Sequence, residues 1–295
     1  MTSNNQELVE RALKHKFVPI ETEITEKDVA LYALGIGAGK ENLQFVYEGA
    51  DDFSAIPSMG VIFPFKVLLS LVTEGIEGLE YDPMKLLHGE QYLEIRGTIP
   101  TRGKLITTSK ISNLYDKGKG ILLIVDSITR DAQTGQDIVF NQFSLFLRGA
   151  RGGTKSPSEK PVEIPKRNPD AVHTQPTTKD QALLYRLAGG DLNPLHADPS
   201  MSAIGGFDQP ILHGLCSFGY AARGVLEHFC NNDPKRFKSL RVRFSKHVFP
   251  GETIQTQMWK VADNKVVLQS RVLEREGYTL TNAIAEIIPQ GAAKL

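Results

Sequence analysis

The chain has 295 residues, enough for roughly two domains of about 150 residues each. Hydrophobic residues make up 41% of it and the mean hydropathy is −0.21, the balance of a globular chain with ample material for a core. The 34 Lys and Arg offset 34 Asp and Glu, which argues against a dedicated nucleic-acid binder, and no apolar run approaches the roughly 18 residues needed to cross a bilayer.

The opening MTSNNQELVERALKHKF lacks the apolar stretch of a secretory signal and reads as a short amphipathic helix. TEKDVALYALGIG (25–37) is a helix, with Thr25 as N-cap, Asp28 in the first turn and glycines at its end. MGVIFPFKVLLSLVTEG (59–75) is apolar nearly all round, the pattern of a buried helix. LITTSKISNLYD, GILLIVDSITRD and DIVFNQFSLFLRG are β-branched runs of strand length, and DAQTGQDI joins the last two as a hairpin. GARGGTKSPSEKPVEIPKRNPD (149–170) is rich in Gly, Pro and Lys without apolar period, an extended linker. It divides the chain into residues 1–150, a linker at 151–170, and residues 171–295.

The second half repeats the scheme. TTKDQALLYRLAGG (177–190) is a helix with Thr177 as N-cap, ILHGLCSFGYAARGVLEHF is a buried helix, and LRVRFSKHVF, TIQTQMWKVA, KVVLQSRVLER and LTNAIAEII are strands. Helix first and antiparallel strands afterwards imply an α+β unit whose sheet wraps a helix. Cys216 and Cys230 are expected as free thiols of a reducing compartment.

The halves also match residue by residue. Thr25/Thr177, Lys27/Lys179, Asp28/Asp180, Ala30/Ala182 and Leu31/Leu183 pair at an offset of 152, and Tyr32/Tyr185 and Leu34/Leu187 follow one residue later. Ile99-Pro100 and Phe249-Pro250 recur at nearly the same spacing, so a duplicated domain is indicated. The copies differ at one telling place. AGGDLNPLHADP (188–199) carries Asp191, Asn193 and His196, whereas the first copy has Ala38 at the position of Asp191 and no following His.

Pro194 stops any helix between Asp191 and His196, so the segment must bend and can face a carboxylate and an imidazole toward one point. Three readings stand: a turn that only reverses the chain, a metal site recruiting Asp198 and His213 around His196, and a catalytic pair. No HxxxH or HExxH pattern supports the metal. Just downstream, His213-Gly214 opens the second buried helix, where unpaired backbone amides at the positive helix end could hold an oxyanion. GIGAGK (35–40) follows a helix, not a strand, and reads as a helix cap. There is no G-x-S-x-G elbow, and the lack of a dinucleotide fingerprint argues against an oxidoreductase.

The block YRLAGGDLNPLHADPSMSAIGGFDQPILHGLCSFGYAARGVL resembles the hydratase 2 motif of MaoC-like enzymes, the (R)-specific 2-enoyl-CoA hydratase 2 family. The similarity extends over most of the chain, including Leu87-His88-Gly89-Glu90-Gln91-Tyr92. The resemblance implies a double hot-dog fold and reversible addition of water to a trans-2-enoyl-CoA, giving a (3R)-3-hydroxyacyl-CoA. It implies that Asp191 and His196 activate the water, that Asn193 shapes the site, and that the backbone N–H of Gly214 stabilises the thioester enolate. It further implies substrate contacts at His88, Gly89, Lys117, Leu192, Pro194, Leu195 and Phe244, beside Asp191, Asn193, His196 and Gly214. It implies a homodimer, with no metal and no cofactor beyond the CoA of the substrate. The first half then becomes a non-catalytic copy that binds the acyl chain. Arg241, Arg243 and Lys246, alternating along one strand beside Phe244, are expected to add to a phosphate patch. The ending Ala293-Lys294-Leu295 is close to the S-K-L address read by the peroxisomal import receptor. A hot-dog thioesterase and a non-catalytic acyl-CoA-binding protein are the competing readings.

Overall fold

The computed structural model describes residues 3–158 and 160–291, so Ala293-Lys294-Leu295 lies outside the described residues. The first half runs α1 (Ser3–Leu13), β1 (Ile20–Ile24), α2 (Glu26–Gly35), α3 (Leu43–Val46), α4 (Phe65–Thr73), β2 (Leu86–Ile95), β3 (Gly103–Asp116), β4 (Gly120–Asp131) and β5 (Asp137–Arg148). An extended segment carries β6 (Thr154–Lys155) and leads into β7 (Ala171–Pro176). The second half continues with α5 (Gln181–Gly189), α6 (Pro199–Ile204), α7 (Gly214–Cys230), β8 (Phe237–Phe244), β9 (Thr253–Ala262), β10 (Lys265–Val272) and β11 (Tyr278–Ile287).

The strands form one sheet in the order β1-β3-β4-β5-β2-β8-β11-β10-β9-β7, with β6 set against β3. Read outward from the middle, each half shows the same order: β2-β5-β4-β3-β1 on one side, β8-β11-β10-β9-β7 on the other. The seam is the antiparallel pair β2–β8, with Leu93 opposite Leu240, both fully buried. This is the double hot-dog arrangement, the duplicated α+β unit expected from the sequence.

The two central helices are unequal. In α7 the helix is apolar around nearly its whole circumference and packs on β7, β8, β9 and β11 and on the turn at Pro57–Val61 of the first half. The single buried helix expected over 59–75 is instead broken into a 3₁₀ turn, Pro57–Val61, and α4. Pro64 has no N–H to donate and its ring excludes the preceding turn, so the α-helix starts only after it. The helix is also not fully buried, since Leu69 is 54% and Val72 42% exposed.

Capping differs between the copies as well. At α2, the Thr25 backbone N–H donates to Asp28 Oδ2 at 2.9 Å within a capping box. At α5 the expected cap Thr177 is displaced by Asp180, and the helix begins at Gln181. The Thr177 hydroxyl is committed elsewhere: it donates to the Glu252 carbonyl at 2.8 Å and accepts from Gly251 N–H at 2.9 Å.

Helices α2 and α5 cross at small residues, a Cβ on Gly35 lying only 2.9 Å from Ala188 Cβ, and the matched Tyr32 and Tyr185 meet edge to face at 6.3 Å. Buried polar groups of the second half then satisfy backbone carbonyls of the first. Gln181 Nε2 donates to Gly35 O at 2.7 Å, and Arg223 Nη1 donates to Ile36 O at 3.2 Å. These bonds hold α7 and the 188–196 loop at a fixed place on the other copy.

Candidate active site

The loop after α5 is built by its own side chains. Gly190 takes a left-handed turn at φ 71°, a conformation open to glycine at little cost, and ends the helix. Asp191 Oδ1 accepts from Asn193 N–H and Asn193 Oδ1 accepts from Leu195 N–H, both at 3.0 Å. Pro194 then starts a single 3₁₀ turn, Pro194–His196, that carries the imidazole inward. His196 is buried while Leu192, Asn193 and Pro194 face outward.

The turn sets His196 Nε2 3.9 Å from Asp191 Oδ2. His196 Nδ1 lies 2.8 Å from the Ile211 carbonyl, which can only accept, so Nδ1 carries the proton and the neutral ring turns the lone pair of Nε2 toward Asp191. Burial pushes the Asp191 carboxyl above the usual carboxylate range, with the pull of His196 opposing it. Burial likewise pulls His196 below the ordinary imidazole value, with Asp191 opposing that shift. The gap of 3.9 Å is too long for a direct hydrogen bond, and a water molecule can bridge it.

A third ring completes the cluster. His213 stacks on His196 at 3.7 Å with 27° between the planes, and its Nε2 meets the Asp191 backbone carbonyl at 3.2 Å. Burial, and then the neighbouring His196, hold its pKa well below the usual value, so the stack is of neutral rings. The sequence places His213 at the opening of the second buried helix and among the ligands of the metal alternative, but not against His196 as a stacked ring; the signal available is a polar His opening an otherwise apolar helix. Although Asp191, His196 and His213 lie close enough to share an ion, His213 Nε2–H is spent on the Asp191 carbonyl and His196 Nδ1–H on Ile211. Of the three atoms that face one another, only Asp191 Oδ2 and His196 Nε2 then keep lone pairs to offer, where a structural or catalytic zinc takes three or four protein ligands. Asp198 takes no part: as N-cap of α6, its Oδ1 accepts from Ser200 N–H at 2.8 Å.

Gly214 is the first residue of α7, next to His213, and a Cβ there would sit 3.2 Å from the Phe244 ring. Phe244, at the end of β8, meets His88 edge to face at 5.1 Å, and His88 meets Phe143 at 5.5 Å. Burial pushes His88 down to about 4, and its Nε2 has no hydrogen-bond partner among the described residues. The register of β2 against β5 shifts at Gly89, where a Cβ would be 3.3 Å from the Ser144 carbonyl. Gly89 and Phe244 also line a cleft of about 330 Å³ that leads away past Arg241, Arg243 and Lys117. Lys117, in the β3–β4 hairpin, donates to Ser156 Oγ at 2.6 Å. Arg243 pairs with Glu90 at 2.7 Å, and Arg241 lies over the Tyr92 ring at 4.9 Å. The expectation for Lys246 fails: β8 ends at Phe244, and Lys246 Nζ instead bonds the Glu276 carbonyl at 3.0 Å.

A double hot-dog with an Asp–His pair beside the N-terminus of its long helix defines a MaoC-like protein, and the comparisons agree. The family described as the MFE-2 hydratase 2 N-terminal domain matches residues 23–149, and the MaoC like domain matches residues 160–282. The probable enoyl-CoA hydratase 2 of Dictyostelium discoideum is 56% identical over 284 residues, spanning 95% of this chain and 97% of that one. The peroxisomal multifunctional enzyme type 2 of Mus musculus is 43% identical over 94% of this chain, which spans 38% of the mouse protein. The crystal structure of a MaoC-like dehydratase from Phytophthora capsici superposes with a TM-score of 0.86 at 37% identity, covering 96% of this chain and 99% of that one. The chain belongs to the enoyl-CoA hydratase 2 family of MaoC-like proteins.

Proposed function

We propose that the chain hydrates trans-2-enoyl-CoA thioesters to (3R)-3-hydroxyacyl-CoA, reversibly, as a step of peroxisomal fatty-acid β-oxidation. The observation that carries this reading is the buried Asp191–His196 gap of 3.9 Å, with the Nε2 lone pair of His196 turned into it. A water held there loses a proton to the pair as its oxygen bonds to C3 of the substrate, and the pair returns a proton to C2. The thioester oxygen gains charge during the attack, and the unpaired N–H of Gly214 at the start of α7 stabilises it. Asn193 acts by fixing the turn through its bond to Leu195. Leu192, Pro194 and Leu195, with His88, Gly89 and Phe244, bound the acyl and thioester portion. Lys117 meets a CoA phosphate at the far end of the cleft, beside Arg241 and Arg243.

In this reading residues 171–295 form the catalytic repeat and residues 1–150, which have Ala38 in place of the acid, hold the acyl chain. No cofactor or metal is required, because CoA arrives as part of the substrate. The ending Ala293-Lys294-Leu295 addresses the chain to the peroxisomal import receptor, in keeping with relatives named as peroxisomal, and the protein works as a homodimer. Incubation with trans-2-decenoyl-CoA tests the activity. Loss of enone absorbance without release of free thiol, with a (3R)-product on chiral analysis, supports it; thiol release without hydroxyacyl product establishes a thioesterase instead.

A further inference from the structure

A second group of ligand-type side chains lies at the other end of α7 and has no part in the reading above. His173 stands in β7, at the edge of the sheet, and Glu227 and His228 stand in the last turn of α7. They are 13 and 14 residues along the helix from Gly214, about 20 Å at the usual helical rise. One donor atom from each of the three lies within 4.8 Å of the others. His173 Nδ1 and Glu227 Oε2 are 3.3 Å apart, and the His173 and His228 rings meet at 5.8 Å.

We propose that His173, Glu227 and His228 form a three-ligand site for a divalent transition-metal cation of the zinc class, which clamps edge strand β7 to the end of α7. Zinc binds imidazole nitrogen and carboxylate oxygen at about 2.0 Å, and a tetrahedron with such bonds has edges of about 3.3 Å. The His173–Glu227 separation equals that edge already. His228 needs a side-chain movement of at most about 1.5 Å, the difference between the 4.8 Å bound and 3.3 Å, to reach the third corner. The fourth corner is left to water. The packing also favours the site: a Cβ on Gly224, one turn before Glu227, would lie 3.0 Å from His173 Cβ, so the glycine lets the strand and its imidazole pack this close without displacement. Neither nitrogen of His173 is spent on the backbone, since Nδ1 faces Glu227 and Nε2 has no hydrogen-bond partner among the described residues. The neighbouring Arg223 does not occupy the carboxylate, its guanidinium being engaged by Ile36 O, Gln175 Oε1 and Asn42 Oδ1. Glu227 and His228 are exposed, which gives a cation an entry path.

The test is a titration of the chelator-treated full-length chain with CoCl2 and ZnCl2, followed by visible absorption and thermal unfolding. The site predicts one cobalt per chain with the strong visible bands of a four-coordinate ion, displaced by zinc, and a rise in Tm with zinc. His228→Ala and Glu227→Gln should each weaken binding by about tenfold or more, or about 1.4 kcal/mol. His196→Ala should leave it intact. No saturable binding at about 100 μM metal, far above the dissociation constants of built zinc sites, overturns the proposal. Binding untouched by both His228→Ala and Glu227→Gln, or lost with His196→Ala alone, overturns it equally. In those cases the group is an ion pair, or the cation sits at the Asp191 cluster.

Discussion

Replacing Gly219 by Ala sets two effects of opposite sign against each other. Gly219 lies within α7, where alanine is favoured over glycine by about 1 kcal/mol. A Cβ at this position would fall 2.3 Å from Ile36 Cγ2 and 2.9 Å from Ile36 Cβ, against an ordinary contact distance of at least 3.4 Å. Ile36 is fully buried in the core between the copies, so helix and loop must part by about 1.1 Å, the difference between 3.4 and 2.3 Å. Overpacking of this kind costs about 1–3 kcal/mol. The clash therefore outweighs the helix gain, and Gly219→Ala should be destabilised by up to about 2 kcal/mol, lowering Tm by up to about 3 °C for a chain of this length. Urea unfolding of Gly219→Ala, Ile36→Ala and the double variant gives the direct measure. Ile36→Ala alone should cost about 2–5 kcal/mol, and the double variant should fall short of additivity by about 1 kcal/mol or more, because Ile36 Cγ2 is gone. A Gly219→Ala chain more stable than the wild type, with additive double-variant energies, would refute the close approach of α7 to the first copy.

The lowered pKa of His196 fixes a pH dependence. The base form survives to lower pH than an ordinary imidazole allows, so the acid limb of kcat/KM should have its midpoint below about 6.5, the apparent value belonging to the Asp191–His196 pair. A midpoint at or above that value would contradict the assignment. His213→Phe keeps a ring against His196 but loses the bond to the Asp191 carbonyl. It should lower kcat by about tenfold at unchanged KM and move the acid limb, whereas a purely structural role would leave the limb in place. Lys117→Ala should raise KM for a CoA thioester by about three- to tenfold with kcat unchanged, an effect that shrinks in high salt. A change in kcat instead would place Lys117 in the chemistry.

Much of this was legible in the sequence because local rules governed it. The strand runs from Leu105 to Arg148 and from Thr253 to Ile287 are β-branched and alternate with turn residues, and they pair in the sheet as read. The match of Tyr32 with Tyr185 proved to be a contact as well as a correspondence, the rings facing each other where α2 and α5 cross. What the sequence left out depends on tertiary partners. Edge strand β1 is too short to show a period, and β7 follows directly on the linker. Thr177 looked like a cap until the Glu252 carbonyl, 75 positions away, took its hydroxyl. Pro64 marks the helix start, but the apolar run on both sides of it masks the break. The stacking of His213 on His196 could not be read from spacing, because Ile211 O and the start of α7 set it together. Lys246 is out of phase with Arg241 and Arg243, whose alternation continues to Ser245, and the strand ends before it.

The central claim is that Asp191 and His196 together move the proton of a bound water. Its most direct test is steady-state hydration of trans-2-decenoyl-CoA by the wild type, Asp191→Asn and His196→Gln, with folding checked by circular dichroism. Each variant should keep the wild-type fold and lose about 10²–10⁴-fold in kcat. The double variant should be little worse than the poorer single, as expected for residues acting as one unit. Full turnover in either single variant, or losses that multiply in the double, would contradict the account.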